Sequence, residues 1–344
     1  MNKRILIIGY FGYISNQLDG QTIKTRNLYE LLCSKVGNVE YFDTQEFKYS
    51  RLSFFRMVKK MIRCDELLYL PGKNNLMYIF PVIFIFSRIC RFNISYFIVG
   101  GWLDLYLEHK PIHRFMLRNI KVMLAESVHL KRSLIEKYAF NNVELLPNFR
   151  SDVPDIKTCG SSGRFNIVFM ARICEDKGIN TVFRFADYLI KNNLIKDDYP
   201  IHINFYGMLD CIEDENAFRN NINKYDFVKY GGVINANDVY SKLSENDVLV
   251  LPTKYPGEGL PGSIIESYIV GIPVVVSNWR FLPEFVDHGK TGFVYDLKNE
   301  QEFYNYILDL YNNVELLNYM KQQAKIKGQE YTDVNAWKII KKYI

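Results

Sequence analysis

The chain reads as an α/β protein built from two tandem Rossmann-like domains facing each other across a cleft. Three observations predict this. The 344 residues exceed one ordinary core and suit two α/β domains of roughly 150–170 residues each. Short apolar runs alternate with helical patterns through both halves, as in parallel sheets covered on both faces. The segment 151–163, SDVPDIKTCGSSG, interrupts the alternation. It is polar and aperiodic, with Pro, Gly and Ser, and reads as a linker.

The first domain, residues 1–150, opens with the run Arg4–Ile8, which ends at Gly9. Four apolar residues are too few for a secretory leader, so a first strand is expected. Further strands are expected at Val39–Phe42, Leu67–Leu70, Tyr96–Val99, Val122–Leu124 and Val143–Leu146. Helical patterns lie between them, as at Thr22–Ser34 and Ser127–Tyr138. Leu76–Phe86 is the most apolar stretch, but its 11 residues and Pro81 fall short of the roughly 18–20 a spanning helix needs. It reads as a buried helix.

Arg51–Arg63 reads as a basic amphipathic helix. Phe54, Val58, Met61 and Ile62 share one face, and Arg56, Lys59, Lys60 and Arg63 the other. Such a helix packs on a core with a solvated basic face, or attaches to anionic lipid.

The second domain, residues 164–330, repeats the alternation. Strands are expected at Phe165–Met170, Ile201–Tyr206, Phe227–Tyr230, Val248–Leu251, Pro273–Ser277 and Gly292–Tyr295. Helices are expected at Ile179–Asn192, Asp238–Leu243, Gly262–Val270 and Pro283–Asp287, and over most of the chain from Asn299. Residues 331–344 read as a final helix.

Charge separates the halves. Residues 1–150 hold 22 Lys and Arg against 12 Asp and Glu; the remainder holds 21 against 26. The first half therefore prefers anionic surroundings. A nucleic-acid partner is not expected, because no recognition motif accompanies that charge. The six cysteines, at 33, 64, 90, 159, 174 and 211, form no CxxC pair and no metal-ligand spacing. They suit a reduced cytoplasmic protein.

Ligands of open α/β sheets bind beyond the carboxyl ends of the strands. In the second half, Phe165–Met170 is followed by ARICEDKG (171–178). Arg172 and Lys177 there stand beside a helix start, where two cations make a diphosphate clamp. Val248–Leu251 is followed by PTKYPGEGLPGSIIES (252–267). Glu258 lies in its Gly/Pro-rich loop, Gly262 or Ser263 is expected to cap a helix, and Glu266 to fall in the first turn. Carboxylates on either side of an anion-binding helix start suit polyol recognition. Gly207, after Ile201–Tyr206, allows close backbone approach to a ligand. Trp279 is expected to pack.

The stretch ARICEDKG, followed by EGLPGSIIES, GIPVVVSN and LPEFVDHGKTGFVYD, resembles the family 4 retaining glycosyltransferases of two-Rossmann-domain (GT-B) architecture. The likeness covers residues 165–296, and VELLPNFRS (143–151) matches the family's entry to the linker. Glu258 and Glu266 match its E-x7-E motif. The resemblance implies that Arg172 and Lys177 bind the donor diphosphate and stabilise the leaving group. Glu258 would contact the donor sugar and Glu266 the ribose. Backbone at Gly259, Leu260, Gly262 and Ser263 would line phosphate and sugar. No metal or other cofactor is implied. Pro261, standing where many members have glycine, has no N–H to donate.

In the first half, the family's Gly-rich loop corresponds to residues 9–25, with Gly20 and Gln21 as cleft candidates and Lys24 a weaker one. Gly100 and Gly101 stand where many members carry an acceptor-side His. His109 and His113 follow on a helix and are expected to be surface or packed residues. The final helix is expected to pack back on the first domain. The function implied is transfer of a sugar from a nucleotide diphosphate sugar, UDP-linked by preference, to a hydroxyl of a glycan or lipid-linked glycan in surface-polysaccharide synthesis. The expected setting is the cytoplasm or the inner face of the membrane, with peripheral contact through Arg51–Arg63. Two rivals share the architecture: a nucleotide-sugar 2-epimerase, and a degenerate subunit that binds a sugar nucleotide without turning it over.

Overall fold

The computed structural model describes residues 3–17, 19–151, 163–198, 200–209 and 212–344. Residues 152–162 of the expected linker, with Cys159 and Cys211, lie outside the described residues. The chain divides into two compact units: Met1–Asp152 with Tyr331–Ile344, and Val153–Glu330.

The first unit runs β1 (Ile5–Gly9), α1 (Gly20–Val36), β2 (Val39–Asp43), α2 (Ser53–Met61), β3 (Glu66–Leu70), α3 (Lys73–Tyr78), α4 (Phe80–Cys90), β4 (Asn93–Phe97), α5 (Leu103–Tyr106), α6 (Pro111–Arg118), β5 (Val122–Ala125), α7 (Val128–Tyr138) and β6 (Val143–Leu145). The strands form one parallel sheet in the order β2-β1-β3-β4-β5-β6. β1 and β3 are buried throughout, so both read as continuous apolar runs rather than alternating ones.

Helices cover both faces of this sheet. Leu28, Leu31 and Leu32 of α1 pack on Ile5, Ile7, Leu68, Leu70 and Leu124. On the opposite face Tyr69 stacks on Phe80 of α4 at 5.8 Å between ring centroids. Right-handed crossovers explain this division. The step from β1 to β2 runs one way along the sheet, and the steps from β2 onward run the other. α2, α4, α6 and α7 therefore form one layer, opposite α1.

The second unit runs β7 (Phe165–Met170), α8 (Ile179–Lys191), β8 (Ile201–Tyr206), α9 (Ile212–Ile222), β9 (Val228–Tyr230), α10 (Val239–Ser244), β10 (Val248–Leu251), α11 (Gly262–Val270), β11 (Val274–Ser277), α12 (Leu282–Phe285), β12 (Gly292–Tyr295), α13 (Glu300–Asn312) and α14 (Val314–Gly328). Its parallel sheet has the order β12-β11-β10-β7-β8-β9, the strand order of a Rossmann fold. The last helix, α15 (Asp333–Ile340), belongs to the first unit. Ala336 and Ile340 join the cluster around α1, and Lys121 Nζ donates to Tyr343 O at 2.9 Å.

Two details differ from expectation. Helix α2 buries Ser53, Met57 and Met61, whereas Phe54 and Val58 are half-buried and Ile62 is exposed. A helix lying on a sheet buries a narrow stripe at i, i+4, i+8, and the four-residue spacing of 53, 57 and 61 supplies it. Its basic face is partly spoken for: Arg56 Nη2 lies 2.7 Å from Glu46, and Lys60 Nζ donates to Tyr41 O at 2.7 Å. The apolar stretch Leu76–Phe86 forms two helices, α3 and α4, with Pro81 in the first turn of α4. That stretch is buried on one side, through Leu76, Phe80 and Ile83, while Ile85 is exposed. Among the described residues, no helix is long and apolar enough to cross a membrane.

Candidate active site

In the second domain the chain leaves β7 toward β8 and β9, whereas β10 leads the other way, to β11 and β12. β7 and β10 are themselves neighbours. Such a reversal opens a crevice at the carboxyl ends of the two strands, and the loops after β7 and β10 meet there. Gly178, the N-cap of α8, takes φ +88°, and a Cβ at this position would lie 2.1 Å from Pro252 O. Glycine is thus what lets the two loops approach. Lys254 N donates to Asp176 O at 2.7 Å across the seam.

This approach brings Lys177 and Glu258 together. Lys177 Nζ donates to Glu258 Oε2 at 2.7 Å and to Oε1 at 3.0 Å, in a buried setting. The Thr253 hydroxyl lies 2.8 Å from the same Oε2, and Ser277 Oγ of β11 donates to Thr253 O at 2.5 Å. The Tyr255 ring serves both cations. Arg172 Cζ sits 5.2 Å from its centroid and Lys177 Nζ 4.8 Å. Trp279 Nε1 donates to Tyr255 O at 2.7 Å, so Trp279 supports the loop through a hydrogen bond.

Helix α11 begins at Gly262 after Pro261 as N-cap, and its first turn holds no acidic residue. This corrects two expectations. Neither Gly262 nor Ser263 is the cap; both are first-turn residues, whose N–H groups have no partner within the helix. Glu266 is the fifth residue of α11, half-buried and one turn deeper than expected. The Ile264 N–H is already given to Pro261 O at 3.2 Å. Gly259 and Leu260 are buried beside Glu258. Gly207 is corrected as well. Its φ is +145°, and the space a Cβ would take is filled by Ala171 O, 1.7 Å away. The close approach there is to the protein's own backbone.

The first domain has its own reversal between β1 and β3. Asp19 caps α1 by accepting from Thr22 N at 2.8 Å, which places Gly20 and Gln21 in the first turn. Gln21 Nε2 donates to Leu70 O, at the end of β3, at 3.3 Å. Gly20 is exposed, with nothing within 4 Å of a built Cβ. Lys24 is buried: its Nζ donates to Glu126 Oε1 and to Ile98 O, both at 2.6 Å. Gly100, at φ +76°, and Gly101 follow β4. His113 is buried against Tyr106 and lies 3.1 Å from Leu76 O, and His109 is exposed. A surface cavity of about 290 Å³ is lined by Tyr13, Tyr41, Asp43, Glu46, Tyr49 and Arg56, among others.

The sequence reading missed Thr253 and Tyr255, although both stand between β10 and Glu258 in the stretch it singled out. It also missed Glu126, whose signal is a Glu-Ser pair at a strand-to-helix junction. Among the described residues, no group of three or more His, Cys, Asp or Glu is placed to hold a metal.

Comparison with known proteins bears on the second domain. Residues 159–327 match the family model described as glycosyl transferases group 1. The second domain is thus similar to a group 1 glycosyltransferase domain. An uncharacterized 41.2 kDa protein in the cps region of Klebsiella pneumoniae is 26% identical over 200 residues, 55% of this chain and 51% of that protein. The UDP-Gal:alpha-D-GlcNAc-diphosphoundecaprenol alpha-1,3-galactosyltransferase of Escherichia coli is 27% identical over 157 residues, 46% of this chain and 38% of that enzyme. The chain thus spans about half or less of the length of these curated relatives. Among solved structures, Anabaena HepE in complex with UDP and glucose has a TM-score of 0.77 at 16% identity, covering 99% of this chain and 98% of that one. At that identity the likeness is one of fold. It spans both Rossmann-like domains of this chain.

Proposed function

We propose that this chain is a retaining glycosyltransferase of surface-polysaccharide synthesis. It moves a hexose from a UDP-sugar to a hydroxyl of a glycan or lipid-linked glycan, without a metal. The observation that carries the reading is the meeting of Lys177 and Glu258 at 2.7 Å, beside Arg172, at the carboxyl ends of β7 and β10. A diphosphate carries more negative charge than one carboxylate and competes with Glu258 for Lys177. Its arrival places phosphate oxygens against Arg172, Lys177 and the first N–H groups of α11. It also frees Glu258 to accept hydroxyl hydrogen bonds from the sugar. As the bond between the anomeric carbon and the diphosphate breaks, the two cations offset the charge growing on the leaving group.

The E. coli relative is named for a UDP-Gal donor and a diphosphoundecaprenol acceptor, and HepE holds UDP and glucose. Both names support a UDP-sugar, and the first supports an acceptor on lipid. The reading therefore includes a peripheral place at the inner face of the membrane and no nucleic-acid partner.

A thermal-shift panel of nucleotide sugars tests the donor half. One class of diphosphate sugar raises the melting temperature of the wild type by several degrees at saturation. Arg172→Ala and Lys177→Ala abolish that shift. No shift with any nucleotide sugar, or full transfer activity in both variants, overturns the assignment. Turnover of donor without acceptor, giving the C2 epimer, would make the chain an epimerase instead.

A further inference from the structure

The outer layer of the first domain carries a surface that the catalytic reading does not use. Helices α2, α4 and α6 lie side by side on one face of the sheet. Phe84 of α4 meets Phe115 of α6 at 6.4 Å between ring centroids. Arg88 lies over the Phe84 ring at 4.8 Å and donates to Asn119 O beyond the end of α6. The inward sides of these helices are spent on the sheet, through Met57 and Met61, Phe80 and Ile83, and Met116 and Leu117.

Their outward sides are apolar as well. Leu52, Phe55, Ile85, Ile89, Ile112 and Phe115 are each 56–70% exposed. Scattered single apolar residues on a surface need no explanation, but a concentration of large ones on one helical layer does. The charge on the helical segments themselves has one sign. Segments 51–63, 80–91 and 110–118 together hold ten Lys and Arg and no Asp or Glu. Two of those cations, Arg56 and Lys60, are paired with Glu46 and Glu40, so the basic stripe of α2 alone is weaker than its sequence suggests. Lys59 of α2, Arg63 just after it and Arg88 of α4 are exposed.

We propose that the outer face of α2, α4 and α6 is the seat of an anionic lipid bilayer. The exposed Leu, Ile and Phe side chains enter the acyl boundary, and the flanking Lys and Arg side chains meet the lipid phosphates. Helices that carry cations and no carboxylates fit an anionic bilayer. A second copy of this chain would bring the same cations against each other. The inference deepens the proposed lipid-linked acceptor, but it stands on surface chemistry alone. Vesicle binding can therefore fail while transfer to a soluble acceptor persists, and the reverse.

The test is co-sedimentation of the full chain with vesicles of phosphatidylcholine, with and without phosphatidylglycerol. The wild type sediments with the mixed vesicles and at least tenfold less with the neutral ones, and added salt weakens the binding. Phe55→Ser, Ile89→Ser and Ile112→Ser, combined, lower the bound fraction at least tenfold. These positions are exposed, so the melting temperature of the variant stays within a few degrees of wild type. A second variant, Lys59→Glu with Arg63→Glu, loses binding to the mixed vesicles by a similar factor. Three outcomes overturn the proposal. The wild type does not sediment with the mixed vesicles, the triple variant binds like wild type, or the wild type is a dimer that the triple variant dissolves.

Discussion

Each domain holds a buried Lys–Glu pair at the carboxyl ends of its strands, and the two pairs differ in what surrounds them. Lys24 and Glu126 are 2.6 Å apart with side chains 2% and 5% exposed. Lys24 also holds Ile98 O, so the pair ties α1 to the ends of β4 and β5. Lys177 and Glu258 are 2.7 Å apart with side chains 11% and 6% exposed. They lie in two irregular loops, beside a second cation, an aromatic ring and a helix start. The first pair braces the sheet. The second holds two groups in register for a ligand that outbids one of them. A buried ion pair is thus no marker of function by itself; what decides is whether other ligand-binding groups converge on it.

The largest contrast is in the backbone. Gly178→Ala forces a Cβ to within 2.1 Å of Pro252 O at φ +88°. The seam between the two loops then opens. We expect a loss of about 4 kcal/mol or more, at the far end of single substitutions, read as a fall in melting temperature or in soluble yield. Gly20→Ala, in the first turn of α1 with open space around it, changes stability by less than about 1 kcal/mol. Equal effects at the two positions would break the contrast.

The ion pairs themselves come next. Lys24→Ala and Lys177→Ala each take the cation from a buried carboxylate, which costs about 3–5 kcal/mol. Replacing both partners by apolar residues relieves that cost in either domain. Lys24→Met with Glu126→Leu therefore regains much of the lost stability, and transfer with it. Lys177→Met with Glu258→Leu regains stability, while transfer stays about 10²–10³-fold down. Denaturant melts and a transfer assay on the four variants and the wild type separate brace from site. Recovery of transfer in the second double variant would reduce Lys177 and Glu258 to scaffold.

Much of this was legible in the chain, for identifiable reasons. Strands such as Phe165–Met170 and Val248–Leu251 lie where their apolar runs stand, because parallel strands covered on both faces read as apolar runs, and Ile201–Tyr206 is legible through its alternation of buried and half-buried residues. Arg172, Lys177 and Glu258 converge because each follows a strand beside the point where strand order reverses. What was not legible depends on tertiary approach. Lys24 and Glu126 are 102 positions apart, and no local pattern pairs them. Gly207 has the signature of a ligand-facing glycine, yet the carbonyl that fills its space is Ala171, from a neighbouring loop. In α2 apolar residues occur on more than one face, and the sheet selects Met57 over Ile62.

The smallest effect concerns the ring beside the second pair. Tyr255 lies within 5.2 Å of the Arg172 guanidinium and 4.8 Å of the Lys177 ammonium. A cation over an aromatic face gains about 0.5–1 kcal/mol at partly exposed sites and more when desolvated. The ring thus holds both cations where a diphosphate meets them, without adding a charge that would compete for them. Tyr255→Phe keeps the face, so donor affinity stays within about twofold of wild type. Tyr255→Ala removes it, and donor affinity falls by about three- to tenfold, in proportion to the energy of one or two such contacts. Titration calorimetry with a UDP-sugar reads the difference. Loss of affinity in the Phe variant would transfer the role from the ring to its hydroxyl, and would make Tyr255 a direct ligand of the donor rather than a support for the two cations.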